Sequence, residues 1–161
     1  MLHKVLAAYS LFAGLTFCAE VCAAEGKLDY QSCFAGTTHV IQADDGIVSM
    51  SYDLIAMTPE KEGQPLSNVS GRCIGPFTII KNDLNEIGTC ELANAAGDKY
   101  MLTYARKGDP AKSEGTWKFV RGTGKFAGIT GDGKWTISDP PPVSGGGTAG
   151  CGHEWGTYSV K

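Results

Sequence analysis

The stretch from Gly122 to Gly133, Gly-Thr-Gly-Lys-Phe-Ala-Gly-Ile-Thr-Gly-Asp-Gly, lies between two tryptophan-bearing segments and constrains the chain more than any other feature. Glycine in a helix interior costs about 1 kcal/mol relative to alanine. A run this dense therefore predicts a tight turn between two strands. Two phosphate-binding readings fall with it. A phosphate loop requires Gly, four residues, then Gly-Lys-Ser/Thr. Counting back from Gly124-Lys125, the first glycine falls on Phe119, and Phe126 stands where the hydroxyl residue should be. Gly122, Gly124 and Ala127 fit a Gly-x-Gly-x-x-Ala spacing, but that fingerprint works only when a following helix sets its N-terminus beneath a pyrophosphate. The residues after Ala127, with Gly128, Gly131 and Gly133 among them, cannot supply that helix.

The rest of the chain carries the same message. Helical periodicity is almost absent, and short segments alternate apolar and polar residues between turn signals. Strands are expected over about 30–42, then over a segment in which Val48, Met50, Tyr52, Leu54 and Ala56 alternate with Ser49, Ser51 and Asp53. Further strands fall at about 71–80 and 86–92, and at one carrying Tyr100, Leu102 and Tyr104. Two more carry Trp117 with Phe119 and Trp135 with Ile137, and a last one covers about 154–160. Polar connections at 59–68 and 107–115 separate some of them. The three prolines 140–142 lack the donor amide a central strand needs, and with Ser144 to Thr148 they read as a long loop. Eight short antiparallel strands in one domain point to an all-β closed barrel, with a β-sandwich as the alternative. Closure removes exposed sheet edges, and eight strands enclose side chains or one small ligand.

The first residues read as a targeting segment. Met1 to Lys4 is a short basic start, Val5 to Phe17 an apolar run of signal-peptide length, and Val21 to Ala24 a small-residue cleavage region. The expected organisation is a signal peptide over 1–24 and a single domain over 25–161. The apolar run is too short to span a bilayer, so no stable membrane insertion is expected. A periplasmic or secreted location is. Export gives the remaining cysteines their meaning: Cys33, Cys73, Cys90 and Cys151 predict two disulfides. No Cys-x-x-Cys pair supports a metal site, and the closest grouping, Cys151-Gly-His153-Glu154, is too compact for usual zinc spacing. Of three connectivities, Cys73 with Cys90 across a hairpin is preferred, which leaves Cys33 with Cys151. The net charge of −3, with both signs scattered, offers no basic stripe for nucleic acid.

The motif from Gly122 to Gly128, with Gly131 and Gly133 behind it, resembles the Gly-Thr-Gly-x-Phe-x-Gly turn of allene oxide cyclase-like and dirigent-like barrels. The segment Gly88 to Tyr100 is similar to the preceding strand-turn-strand of uncharacterised exported bacterial relatives. Those show an acidic Asp-x-Asp-Gly-Asp turn where this chain has Asn94, Ala95, Ala96, Gly97 and Asp98. The likeness covers roughly 73–137. It implies an eight-stranded barrel with a central cavity. Plant members act on or orient hydrophobic small molecules, but fold does not fix function, and that activity is not transferred.

Chemistry has few candidates. His39 sits in the first expected strand. His153 beside Glu154, in a glycine-rich region near a barrel mouth, is the better candidate base, because a carboxylate neighbour can raise an imidazole pKa. No nucleophile elbow is present. Asp44, Asp45, Asp83 and Glu86 fall at expected turns, where acidic residues serve local backbone hydrogen bonds. Asp98 and Asp132 lie in Gly-flanked turns without a full calcium loop, so no metal or other cofactor is expected. The aromatic residues Tyr52, Phe77, Tyr100, Tyr104, Trp117, Phe119 and Trp135 either pack the core or, if the barrel holds a vacancy, line an apolar pocket. Three functions follow: a non-catalytic binder of a small hydrophobic ligand, a lyase or isomerase of the cyclase-like kind, and an interaction protein with a filled barrel. In the last, loops 59–68 and 139–153 would make the contacts. An inward carboxylate or histidine would favour the enzyme, an empty apolar lumen the binder, and a packed lumen the third.

Overall fold

A computed structural model describes residues 24–42, 45–110, 112, 114–137 and 147–161. The expected targeting segment lies, but for Ala24, outside the described residues. So do the prolines 140–142. Eight strands run in sequence order: β1 (Ala24–Gln42), β2 (Ile47–Thr58), β3 (Val69–Ile80), β4 (Asp83–Ala93), β5 (Lys99–Gly108), β6 (Glu114–Gly122), β7 (Asp132–Ile137) and β8 (Gly147–Val160). Every neighbour pairs antiparallel, and β8 returns to β1 to close the barrel. The alternation read from the sequence sends one parity inward: Tyr52, Cys73, Cys90, Tyr100, Leu102, Trp117 and Phe119 are all buried. The opposite parity leaves Ile55, Ile74 and Ile87 on the outer wall. Among the described residues, no helix is long and apolar enough to cross a membrane.

The abundant glycine has a packing role. Four bulky rings stand directly opposite a glycine on the neighbouring strand: Tyr104 opposite Gly88, Trp135 opposite Gly115, Trp117 opposite Gly133, and Tyr158 opposite Gly26. A Cβ on Gly88 would come within 2.2 Å of the Tyr104 ring, and one on Gly115 within 2.4 Å of the Trp135 indole. Each ring thus lies flat across a glycine and fills the space a narrow barrel leaves, a pairing that stabilises glycine-bearing strands.

The two ends differ. At the end holding the start of β1, the loop 59–68 and the segment 123–131 fold across the opening. Leu66 is fully buried, and Phe126 and Ile129 are nearly so. These three join Leu28, Val69, Leu92 and Phe119 in one core cluster. Complete burial of each such side chain contributes about 1.5–3 kcal/mol. The glycine-rich motif makes this plug as a single 3-10 turn, Gly124–Phe126, with no helix behind it. Gly124 has φ +56°, and a Cβ there would strike the Asp98 carboxylate. Asp98 in turn is held by Asn94, which caps its own turn by accepting from the amides of Ala96 and Asp98. The Asn94 to Asp98 turn and the Gly122 to Gly128 motif therefore work as one interlocked cap.

Both expected disulfides form. Cys73–Cys90 joins β3 to β4, with both residues buried. Cys33–Cys151 crosses the β1–β8 closure, between residues 118 apart in sequence.

Several boundaries differ from the sequence reading. β8 begins at Gly147, seven residues before its expected start. Its glycines fit because a Cβ on Gly152 would meet the Thr136 carbonyl at 2.3 Å, so that the strand needs glycine where it crosses β7. The β3–β4 turn is only Lys81 and Asn82, both with positive φ. That is the two-residue hairpin geometry that matches strand twist. Asp83 and Glu86 consequently lie within β4 and not in a turn.

Candidate functional site

Above the plug the barrel lumen holds a cavity of about 340 Å³. Its walls come mainly from apolar side chains, with Leu54, Phe77 and Leu102 among them, and from the Cys73–Cys90 bridge. The closed half of the lumen, in contrast, is solid. There Trp117 and Phe119 pack with ring centroids 5.0 Å apart, and Tyr100 meets Phe119 edge-on at 5.4 Å. Of the seven aromatic residues singled out from the sequence, Tyr52, Phe77, Tyr100, Tyr104 and Trp135 line the cavity, whereas Trp117 and Phe119 belong to the packed core below it.

Two polar clusters interrupt the apolar wall. The first lies toward the end formed by the close of β5 and the start of β4. Tyr104 donates to the Tyr52 hydroxyl at 2.7 Å, and Tyr52 donates to the Glu86 carboxylate at 2.8 Å. The other Glu86 oxygen accepts from Arg106 Nε at 2.8 Å. Glu86 is 6% exposed, and the guanidinium of Arg106 rests over Trp135, 5.3 Å from the ring centroid. Burial first, then the neighbouring hydroxyl and the Glu86 charge, push the Tyr52 phenol far above its ordinary pKa. Burial does the same to Tyr104. Both phenols are neutral donors at any physiological pH.

The second cluster sits on the plug side. Ser32 donates to the Glu154 carboxyl group, which also hydrogen-bonds Tyr30. Tyr30 in turn shares a hydrogen bond with Tyr100, whose hydroxyl reaches the Leu66 carbonyl at 3.4 Å. Burial raises the Glu154 pKa, and the hydrogen bonds from Ser32 and Tyr30 oppose that shift without cancelling it. Glu154 thus holds its proton more tightly than an exposed glutamate does.

The pair His153–Glu154 is split by strand alternation, which also corrects the expected position of His153. It lies on β8, outside the glycine-rich loop, and its side chain is on the outer wall. There Nε2 is 3.1 Å from Asp29 and the ring stacks on Trp155. The contacts with His153 and Lys61 hold the Asp29 carboxyl below its ordinary pKa. Glu154 faces inward. His39 is exposed on β1. Asp44 lies outside the described residues and Asp45 occupies the β1–β2 turn. Among the described residues no cluster of His, Cys, Asp and Glu is arranged to hold a metal ion. Sequence reasoning missed Glu86 as a lumen residue and did not consider Arg106. Both share the inward parity of their strands, Glu86 with Leu84 and Cys90, Arg106 with Tyr100, Leu102 and Tyr104.

Comparison with known proteins adds the fold class. No family model matches the sequence, and no curated protein matches it. The solved structure of the pterocarpan synthase dirigent protein GePTS1 is similar over 85% of this chain and 92% of its own, with a TM-score of 0.54 and 14% identity. The pterocarpan synthase dirigent protein PsPTS1 covers 84% and 95%, with a TM-score of 0.48 and 13% identity. The chain is an all-β, closed eight-stranded barrel of dirigent-like fold.

Proposed function

We propose that the protein binds a small, largely apolar molecule inside the barrel. The observation that carries this reading is the 340 Å³ cavity in the barrel lumen, with apolar walls interrupted by two polar clusters. Ligand sites of this kind run from about 300 to 1,000 Å³ and use few, fixed polar groups to orient their occupant. A vacancy of that size counts against the filled-barrel interaction role. The two disulfides support residence in an oxidising compartment, periplasmic or extracellular. The test is native mass spectrometry of the gently purified, oxidised protein, paired with a Leu54→Trp variant that fills the lumen. A small apolar molecule carried by the wild type and lost from the variant supports lumen binding. A molecule retained equally by both defeats it.

One observation favours a second reading, a lyase or isomerase that moves a proton on the bound molecule. Glu154 opens on the lumen with its pKa raised by burial, the direction of shift that suits a carboxyl group to donate a proton. The dirigent neighbour above is itself a pterocarpan synthase. Once a ligand is identified, Glu154→Gln separates the readings. A binder keeps its affinity and shows no turnover in either form, whereas an enzyme of this type loses turnover while retaining the ligand.

A further inference from the structure

The electrostatics of the lumen say more about the occupant than its volume does. Arg106 uses Nε for Glu86 and places its guanidinium over Trp135, and its side chain is 13% exposed. Its two Nη groups have no acceptor among the described residues. Arg106 itself lines the cavity. An arginine held this way presents rigid, forked donors to whatever lies beside it. Its charge, however, is already balanced by Glu86, which is itself held by Tyr52. A carboxylate entering beside Arg106 would bring a second negative charge close to Glu86 in a poorly screened site. At the far end Glu154, a carboxyl group, supplies no compensating cation. The lumen therefore favours an uncharged occupant.

Shape narrows the class further. The cavity is lined from Tyr100 to Arg106 along β5. Six residues at about 3.3 Å each, on a strand tilted by about 40°, span roughly 15 Å along the barrel axis. A volume of 340 Å³ spread over that length leaves a channel about one ring or one chain wide.

We propose that Arg106 is the recognition residue of the lumen. Its occupant is an uncharged, elongated molecule, one ring or chain wide, with a carbonyl-type hydrogen-bond acceptor at the end that meets the Arg106 Nη groups. This assignment rests on the lumen-binding reading above and adds to it the polarity, charge and direction of the ligand.

A matched probe set tests it. The oxidised protein is titrated at neutral pH with methyl nonyl ketone, decanoate and decane, followed by intrinsic tryptophan fluorescence, since Trp135 lies directly beneath Arg106. The ketone is expected to bind about tenfold or more tightly than either of the others, the scale of one hydrogen bond to a charged group. Glu86→Gln removes the balancing charge and should reverse the order of ketone and decanoate. The double variant Glu86→Gln/Arg106→Met, which leaves no unpaired carboxylate behind, should bind ketone and decane alike. Ketone and decane bound equally by the wild type, or decanoate bound more tightly, would overturn the assignment while leaving lumen binding intact. No binding of any probe would remove the lumen-binding reading itself.

Discussion

The lumen ion pair makes a quantitative prediction about stability. Glu86 is almost fully enclosed, and its carboxylate depends on two donors, Tyr52 and Arg106, each at 2.8 Å. Arg106→Met keeps an apolar stem of similar length over Trp135 but removes one donor, the compensating charge and the cation–π contact. Breaking a buried pair by removing one partner costs about 3–5 kcal/mol, because the other charge stays buried and uncompensated. Replacing both partners by neutral groups costs far less; Glu86→Gln/Arg106→Met, in which the amide oxygen still accepts from Tyr52, should lose only about 1–2 kcal/mol. The second substitution therefore rescues the first, and the double variant is more stable than Arg106→Met alone. Chemical denaturation of the oxidised proteins, with the slope checked for constancy, reads both quantities. A loss below about 1 kcal/mol for Arg106→Met, or a double variant whose loss equals the sum of the two singles, would show that Glu86 is effectively hydrated and that the pair is not the buried unit described.

Three further outcomes are expected. Glu154 has a raised folded-state pKa, so the folded chain holds its proton more tightly than the unfolded chain does, and stability falls as pH rises from the ordinary glutamate range through the raised value. The groups around it, Ser32, Tyr30, Tyr100 and His153, leave that sign unchanged; Glu154→Gln should flatten this part of a stability-versus-pH curve, and an unchanged slope would refute the assignment. Removing the closure disulfide with Cys33→Ser/Cys151→Ser should cost more in denaturation experiments than Cys73→Ser/Cys90→Ser. The loops closed span 118 and 17 residues, about 4–5 against about 3 kcal/mol in the chain-entropy account. Gly124→Ala should destabilise the barrel by more than about 1 kcal/mol and by more than Gly97→Ala. Both glycines have positive φ, but only a Cβ at 124 runs into Asp98, so equal losses by thermal denaturation would argue against the interlocked cap.

Strand number, barrel closure and both disulfides were legible because alternation is a local signal and the lumen parity runs along the strands with an irregularity where β6 pairs with β5 beside Met101 and Leu102. Legibility failed where the deciding contact is across strands. Gly147, Gly150 and Gly152 read locally as loop, yet they extend β8 because a bulkier residue at 152 would collide with the β7 backbone. Glu86 was hidden by the Lys81–Asn82 turn, which lacks the Asn-Gly pair that usually marks a two-residue hairpin and so displaced the expected start of β4. Arg106 could have been found by extending Tyr100, Leu102 and Tyr104 one step along the same face. The adjacency of His153 and Glu154 suggested a pair, although a strand places neighbours on opposite faces.

The β1–β8 seam differs from every other pairing in the barrel, since the remaining ladders join strands consecutive in the chain. Seven of the eight pairings can form as hairpins from residues close in sequence, whereas the seam waits for the two ends to meet. A barrel opened there would present two long, mutually complementary edges, the β1 edge of one molecule matching the β8 edge of another in the register Tyr30 to Glu154 and Cys33 to Cys151. Such an open form is a template for strand exchange between copies. The Cys33–Cys151 bridge lies within that ladder, and a seam locked within one chain would oppose such exchange between copies.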